Sequence, residues 1–562
     1  MDLRKRNWAE NPGFDAVVGN PPYDVLAEKE RKEDLSQFMA YVNSDEKLHP
    51  AMGRKIDLFR LFVAKAMSLV RPEATAGLIV PMSLLAGPQT MRLRKHLLKQ
   101  HAFLRVDAFP QKDDPSRRVF PEAKLPTCVV IMQSAPKSCQ TFVVTTHPGR
   151  SLDEISGRYR CEDADLWEFD REGLAVPLLP SDTAWSLGKK LSSKSEWLCS
   201  IGDLVQTYQG EINETTMVRF LSTDPSVGPK VLRGGNVQRY EFQPKAKQGV
   251  DKFIDVQAYE RKIGGEKVAH TRLPRFGYQR NAALDNWRRL IFAPLPTPSY
   301  CFDSISYFSM EDKAKACALL ALLNSQLLEW RFRLTSTSNH VNVHEIADLP
   351  AIRFSFSTPA DARQRYAEKG RRLYDQFCTK SNVAGARRFV AHHLDGGRSD
   401  VVHDLLAYLA EQMIEMHKEK QGHQRAFRLD LAGYLDEKRL AKLNRLYTPK
   451  KPPKEGIKNY DRKLTAYEQA VQLAQAQLGP LAGETLNLDD FWRLNQAQWM
   501  WLLSQRLGKA ANMSALVSVY EQYRAQLAPL MRRIQRTDWL IDLVVYQLYG
   551  LTEEEIAIVE GR

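Results

Sequence analysis

Long apolar runs are missing from this 562-residue chain. No stretch reaches the roughly 18 consecutive apolar residues that a membrane-spanning helix needs, so no membrane partner is expected. The opening MDLRKRNWAENPG carries basic residues with no apolar segment behind them and does not read as a secretory signal. Cysteine is scarce: seven residues, at positions 128, 139, 161, 199, 301, 317 and 378, none in a CxxC pair. That spacing offers neither a zinc site nor a disulfide framework, so no metal is expected. The low, odd count fits a reducing cytoplasm. No internal repeat is found. Acidic residues are in deficit, with 67 Asp and Glu against 80 Lys and Arg, a net +13. Such an excess favours a polyanionic partner, and a basic but unspecialised surface would give the same count.

What is present begins with an α/β pattern over residues 1–150. Phe14–Gly19 (FDAVVG) reads as a buried strand. Ile56–Val70 has helical spacing, with Leu58, Phe59, Phe62, Val63, Ala66 and Val70 on one face. Ala76–Pro81 is a second strand and Gln89–His101 a basic helix. Phe103–Phe109 and Thr127–Met132 are two more strands. Near-continuous apolar strands alternating with helices predict a mostly parallel sheet covered on both faces. Ligands of such sheets bind beyond the carboxyl ends of the strands.

At one of those ends stands Asn20-Pro21-Pro22-Tyr23. Each proline removes an N–H and forces the residue before it out of the α region. The segment therefore offers carbonyl acceptors without competing donors, and Asn20 adds a side-chain amide oxygen. Two rigid acceptors suit an exocyclic amino group, and Tyr23 offers a flat face for a planar ring. An amino-bearing base such as adenine fits that set. A plain Pro-Pro turn after a strand is the bland alternative.

Residues 151–195 read as a connector. Residues 196–356 form a mixed α+β module of short β-like runs broken by Gly and Pro. Its loops carry Arg233, Asn236, Gln238, Arg239, Arg275, Gln279 and Arg280, residue types that read base edges, while Lys95 and Lys99 on the basic helix are candidates for phosphate. Any single one of them would serve equally as a solvated loop residue. Residues 357–562 are helical. Val402, Leu405, Leu406, Leu409, Met413 and Met416 form an ordinary packing stripe. A basic, proline-rich linker lies near 447–463. Thr552 with Glu555 forms a capping box for the last helix.

FDAVVGNPPY resembles motif IV of the N6-adenine DNA methyltransferases, of the type IIG, TaqI-like and phage-exclusion kind. IDLFRLF, GLIVP and VFPEAKLPTCVVIM resemble the motifs that follow it. VLRGGNVQRYEF, LLNSQLLEWRFRL and NHVNVHEIADLP, in that order, resemble the target-recognition domain of the TaqI-like and type IIG enzymes. The resemblance implies a Rossmann-like catalytic sheet, S-adenosylmethionine as methyl donor, double-stranded DNA as substrate and a flipped target adenine. It also implies that Asn20 and the Pro21 carbonyl accept from N6, that Tyr23 stacks on the base, and that Asp57 opens a helix beside the cofactor. In the family a glycine-rich cofactor loop precedes motif IV. RGGNVQRY and KIGGEK lack the strand-to-helix context for it. The chain is therefore expected to be a C-terminal part, or one half, of a restriction or phage-defence methyltransferase, with an upstream half or other defence-system subunits as partners. A strand at Phe14–Val18 that is apolar on both faces should be central, and without earlier strands it would be an aggregation-prone edge. Two alternatives stay open: a catalytically silent DNA-recognition subunit, and a protein-glutamine methyltransferase, which also uses NPPY.

Overall fold

The computed structural model describes residues 13–26, 34–53, 56–134, 141–193, 195–244, 249–336, 338–380, 383–454, 456–508 and 512–562. The chain divides into two compact units. The first comprises 1–363, 390–403 and 544–562; the second comprises 364–389 and 404–543.

The first unit begins with strand β1 (Phe14–Gly19), a short pair β2 (Val25–Leu26) and β3 (Ile56–Asp57), helix α1 (Leu58–Leu69) and strand β4 (Val70–Pro81). Helix α2 (Met91–Gln100) leads into β5 (Ala102–Phe109), β6 (Thr127–Gln133), β7 (Thr141–Thr146) and β8 (Gly157–Glu162). The main sheet has the order β1-β4-β6-β5-β7-β8. Only β1–β4 and β5–β7 are parallel, and the other three pairings are antiparallel. The sheet is thus mixed, not mostly parallel. The cause is β6, which returns antiparallel after the 110–126 loop and inserts between β4 and β5. Apolar runs report burial on both faces and carry no strand direction.

Alternation along β4 buries Ala74, Ala76, Leu78 and Val80 on the core face. On α1 the buried arc runs through Phe59, Val63, Ala66 and Met67 and on to Arg60, Leu61 and Ala64. Phe62, expected on that face, lies outside the arc and is 49% exposed. Each fully buried aliphatic side chain here, Leu97 or Val80 for example, contributes about 1.5–3 kcal/mol relative to exposure. β1 occupies an edge among the described residues, and Val18 on it is 86% exposed.

The connector expected over 151–195 is instead part of this layer. Tyr159 and Cys161 point inward from β8 while Arg158 and Arg160 are exposed. Helices α3 (Asp163–Phe169) and α4 (Asp182–Ser192) follow, α4 capped by Ser181. Leu166, Phe169 and Trp185 join the same hydrophobic core as the sheet. Arg94, buried on α2, ties the segment down. It donates to the carbonyls of Leu84 (2.8 Å) and Leu174 (2.9 Å) and to the Thr90 hydroxyl (2.8 Å). Burial pulls its pKa down to about 10, which the nearby Asp170 partly opposes.

The middle of the first unit holds β9 (Thr207–Gln209), a hairpin of β10 (Val237–Gln238) and β11 (Glu241–Phe242), then β12 (Arg275–Gln279), β13 (Phe292–Pro294) and β14 (Ile305–Ser309). An antiparallel sheet runs β9-β14-β12-β13 over a core rich in aromatics, with Tyr278, Phe292, Tyr307 and Phe308 buried. Helix α5 (Gln326–Thr335), capped by Ser325, follows.

The second unit is helical, built largely from α6 (Ala360–Lys380), α7 (Ser399–Ala432), α8 (Tyr460–Leu478) and α9 (Met513–Leu548). The stripe of Leu405, Leu406, Leu409, Met413 and Met416 on α7 is buried, as is Val402. Phe427 stacks on Phe491 and Trp499 on Tyr520. The linker expected near 447–463 narrows at both ends, because Tyr447 closes a short strand and α8 already starts at Tyr460. The final helix α10 (Glu553–Glu560), in the first unit, carries the Thr552/Glu555 capping box. Among the described residues no helix is long and apolar enough to cross a membrane.

Candidate functional site

The Asn20–Tyr23 loop leaves the carboxyl end of β1, beside the carboxyl end of its parallel neighbour β4. Asn20 and Pro22 are exposed, Pro21 is buried and Tyr23 is half-buried. The Tyr23 hydroxyl donates to the Ile79 carbonyl on β4 at 3.2 Å. Its ring meets the edge of Phe120 at 6.1 Å and 72°, a T-shaped contact supplied by the β5–β6 loop. Burial pushes the phenol up to about 12, with the neighbouring Cys128 adding to the shift. The ring is therefore fixed by one hydrogen bond and one aromatic neighbour, while the Asn20 amide stays accessible.

β2 and β3 bring the next element to the loop. Val25 pairs with Asp57, and the Leu58 N–H donates to the Asp24 carbonyl at 2.9 Å. Asp57 thus stands at the N-terminus of α1, where the helix dipole favours an anion. Its carboxylate lies 3.1 Å from the guanidinium of Arg60, which is fully buried and also donates to the Gln89 carbonyl at 2.6 Å. Burial lowers the Arg60 pKa, and Asp57 partly offsets that. Phe120 and Arg60 are site residues that the motif did not reveal. An aromatic in the β5–β6 loop and an arginine one turn into the helix were the available signals. The sites predicted at Asn20, Pro21, Pro22, Tyr23 and Asp57 are brought together in one place. Among the described residues, no group of three or more His, Cys, Asp or Glu side chains could hold a metal ion.

The predicted base-reading residues scatter. Asn236 is fully buried, its amide accepting from the Arg233 N–H (2.8 Å) and donating to the Gln243 carbonyl (2.7 Å). Arg275 is buried on β12, paired with Glu211 at 3.0 Å and bonded to the Ser299 hydroxyl at 2.9 Å. Both are corrections to the sequence reading: each side chain is buried and directs its hydrogen bonds to other residues of the module. Arg233 is clamped by Glu214 at 2.7 and 2.8 Å, and holds that carboxyl below its usual range. Arg239 donates to the Asn324 carbonyl at 2.7 Å, and Gln279 to the Val237 carbonyl at 2.6 Å. Gln238 and Arg280 are half-buried. Of the α2 pair, Lys95 is half-buried and Lys99 exposed, with its ammonium 5.4 Å from the centre of the Trp167 ring. Trp287, which the sequence pattern does not single out, is 80% exposed. Its loop is held where Arg288 donates to Gln326 (2.9 Å) and Arg333 to the Leu284 carbonyl (3.2 Å).

Residues 2–114, which carry the NPPY loop and Asp57, match the Eco57I restriction-modification methylase family. A protein of Methanocaldococcus jannaschii named as a type II restriction enzyme and methyltransferase is 26% identical over 245 residues, 42% of this chain. The chain covers only 19% of that relative's length. Among solved structures, the type IIG restriction endonuclease BpuSI aligns at 12% identity and a TM-score of 0.30, over 65% of this chain and 49% of its own. The type IIL restriction-modification enzyme MmeI, solved in complex with DNA, aligns at 10% identity and a TM-score of 0.37, over 72% of this chain and 54% of its own. The chain is thus similar, over its first fifth, to restriction-modification methylases.

Proposed function

We propose that this chain acts as an adenine-N6 DNA methyltransferase, or as a section of one, in a bacterial restriction-modification or phage-defence system. The observation that carries the reading is the Asn20–Tyr23 loop, with the exposed Asn20 amide at the carboxyl end of β1 and a tyrosine ring held beside it by the Ile79 carbonyl. Target adenine leaves the stack, at a cost of a few kcal/mol, because its amino group is unreachable inside a duplex. The Asn20 amide oxygen and the Pro21 carbonyl then accept from the two N6 hydrogens, which raises the electron density on nitrogen. Tyr23 offers its face to the flipped ring. S-adenosylmethionine supplies the methyl group when bound, and Asp57 is the residue of this chain we assign to its side. An upstream methyltransferase half is the partner this reading assigns to the chain. Double-stranded DNA is held by the middle module, where Gln238, Arg280 and Trp287 are at least partly exposed and Asn236 and Arg275 are not. The lack of a GxG-bearing strand-to-helix turn in this sequence supports the second reading, a catalytically silent recognition subunit.

Asn20→Ala in the assembled enzyme tests the proposal. Removing a group that acts in the transition state costs on the order of a hundredfold or more in methyl transfer, while duplex binding stays near wild type. Parallel loss of both would refute the division between loop and module. Absence of transfer by the wild-type assembly, with duplex binding intact, would establish the silent subunit.

A further inference from the structure

The second unit contains a cavity of about 500 Å³ between α6 and α9. Asp375, Cys378 and Thr379 line it from α6, and Pro529, Arg532, Arg533 and Arg536 from α9. Pro529 sits inside α9, where it removes one backbone donor from the turn preceding the arginines. Spacing of three and four residues puts each set on one helix face. Three guanidiniums thus face one carboxylate across a single space.

The polar partners within the lining are mostly neutral. Arg533 donates to the Tyr374 hydroxyl and the Gln412 amide oxygen, each at 3.2 Å. Arg536 donates to the Cys378 carbonyl at 2.8 Å. Each guanidinium has five N–H donors, so these acceptors leave most of them over. Arg532 and Arg536 are exposed, while Arg533 is half-buried. Three like charges held together repel, and a multiply charged anion between them relieves that repulsion. Guanidiniums match phosphate oxygens two at a time, and the space lies in the range that takes a ligand larger than a single small ion.

We propose that the cavity between α6 and α9 binds a phosphoryl group, carried either by a small polyphosphate such as a nucleotide or by a nucleic-acid backbone. The site belongs wholly to the second unit and needs no methyl-transfer chemistry.

The full chain is titrated calorimetrically with inorganic pyrophosphate. It is also titrated with a duplex of scrambled sequence at several salt concentrations. Arg532→Gln/Arg536→Gln changes two exposed side chains, and Lys438→Gln/Arg462→Gln, also exposed on the same unit, is the charge-matched control. For a small polyphosphate, the arginine pair loses about tenfold or more in pyrophosphate affinity and leaves the duplex unchanged. For a backbone, it lowers the duplex salt slope by about two, one per released phosphate contact. Wild-type behaviour of the arginine pair in both arms, or an equal loss in the control pair, overturns the proposal. Failure of Asn20→Ala to affect methylation would leave both arms readable.

Discussion

Arg275→Ala separates the two roles that this residue could have. Arg275 and Glu211 are 0% and 1% exposed and 3.0 Å apart. The same guanidinium bonds to the Ser299 hydroxyl at 2.9 Å and lies 4.6 Å from the centre of the Tyr307 ring. The second Glu211 oxygen accepts from the Cys301 N–H at 2.8 Å. Truncating the arginine leaves a carboxylate out of water with one weak partner. Removing one member of a buried pair costs about 3–5 kcal/mol, and an orphaned Ser299 hydroxyl adds about 1 kcal/mol or more. These terms overlap, so the expected loss is about 3–5 kcal/mol. Calorimetric unfolding of the full chain reads it as a lowered transition for the first unit. Replacing both partners, Arg275→Met with Glu211→Gln, should cost much less, because no charge is then stranded. If Arg275→Ala melts with the wild type and instead loses affinity for one cognate duplex only, the buried placement is wrong and base readout is right.

Three further outcomes are expected. Tyr23→Phe keeps the ring and should keep methyl transfer within about tenfold, whereas Tyr23→Ala should lose roughly 1–3 kcal/mol of base binding, the usual worth of one stacked base; equal effects in a steady-state methylation assay would remove the stacking role. The Tyr23 phenol is raised to about 12, so its contribution to stability is present below the ordinary value of 10.0 and is lost as pH climbs through 12; alkaline unfolding should be less steep in Tyr23→Phe, and identical slopes would count against the buried hydroxyl. Lys99→Ala should weaken all duplexes alike and reduce the salt slope by about one, and Arg280→Ala should cost roughly 1–3 kcal/mol on cognate DNA only; binding to cognate and scrambled duplexes at several salt concentrations checks both.

Four strands of the main sheet and helices α1 and α2 were legible because their apolar runs are long and their periods clear, whereas the helix Ser36–Ser44, with its single fully buried residue Val42, gave no such signal. The NPPY loop was legible because proline restricts backbone in a way any sequence displays. Strand direction was not, since the insertion of β6 between β4 and β5 is a tertiary choice. β8 was passed over although Gly157–Glu162 alternates inward Tyr159 and Cys161 with outward Arg158 and Arg160, because two arginines mask so short a run. Arg275 and Asn236 misled for a related reason: residue type states what a side chain can bond, and only the fold states which way it points. Arg275 lies in RFGYQ, where the next three residues are also buried, and that run was the available hint.

Arg94 sets the practical limits for dissecting the molecule. A chain cut at 150, where the sequence pattern suggests a seam, would lose Gly173 and Leu174, two of the carbonyl groups that Arg94 reaches. It would leave a cation facing the vacated space and strip β7 of its neighbour β8. Limited proteolysis should accordingly spare the 157–192 region for as long as the sheet survives. A fragment meant to carry the Asn20 loop in stable form has to extend through the end of α4 at Ser192.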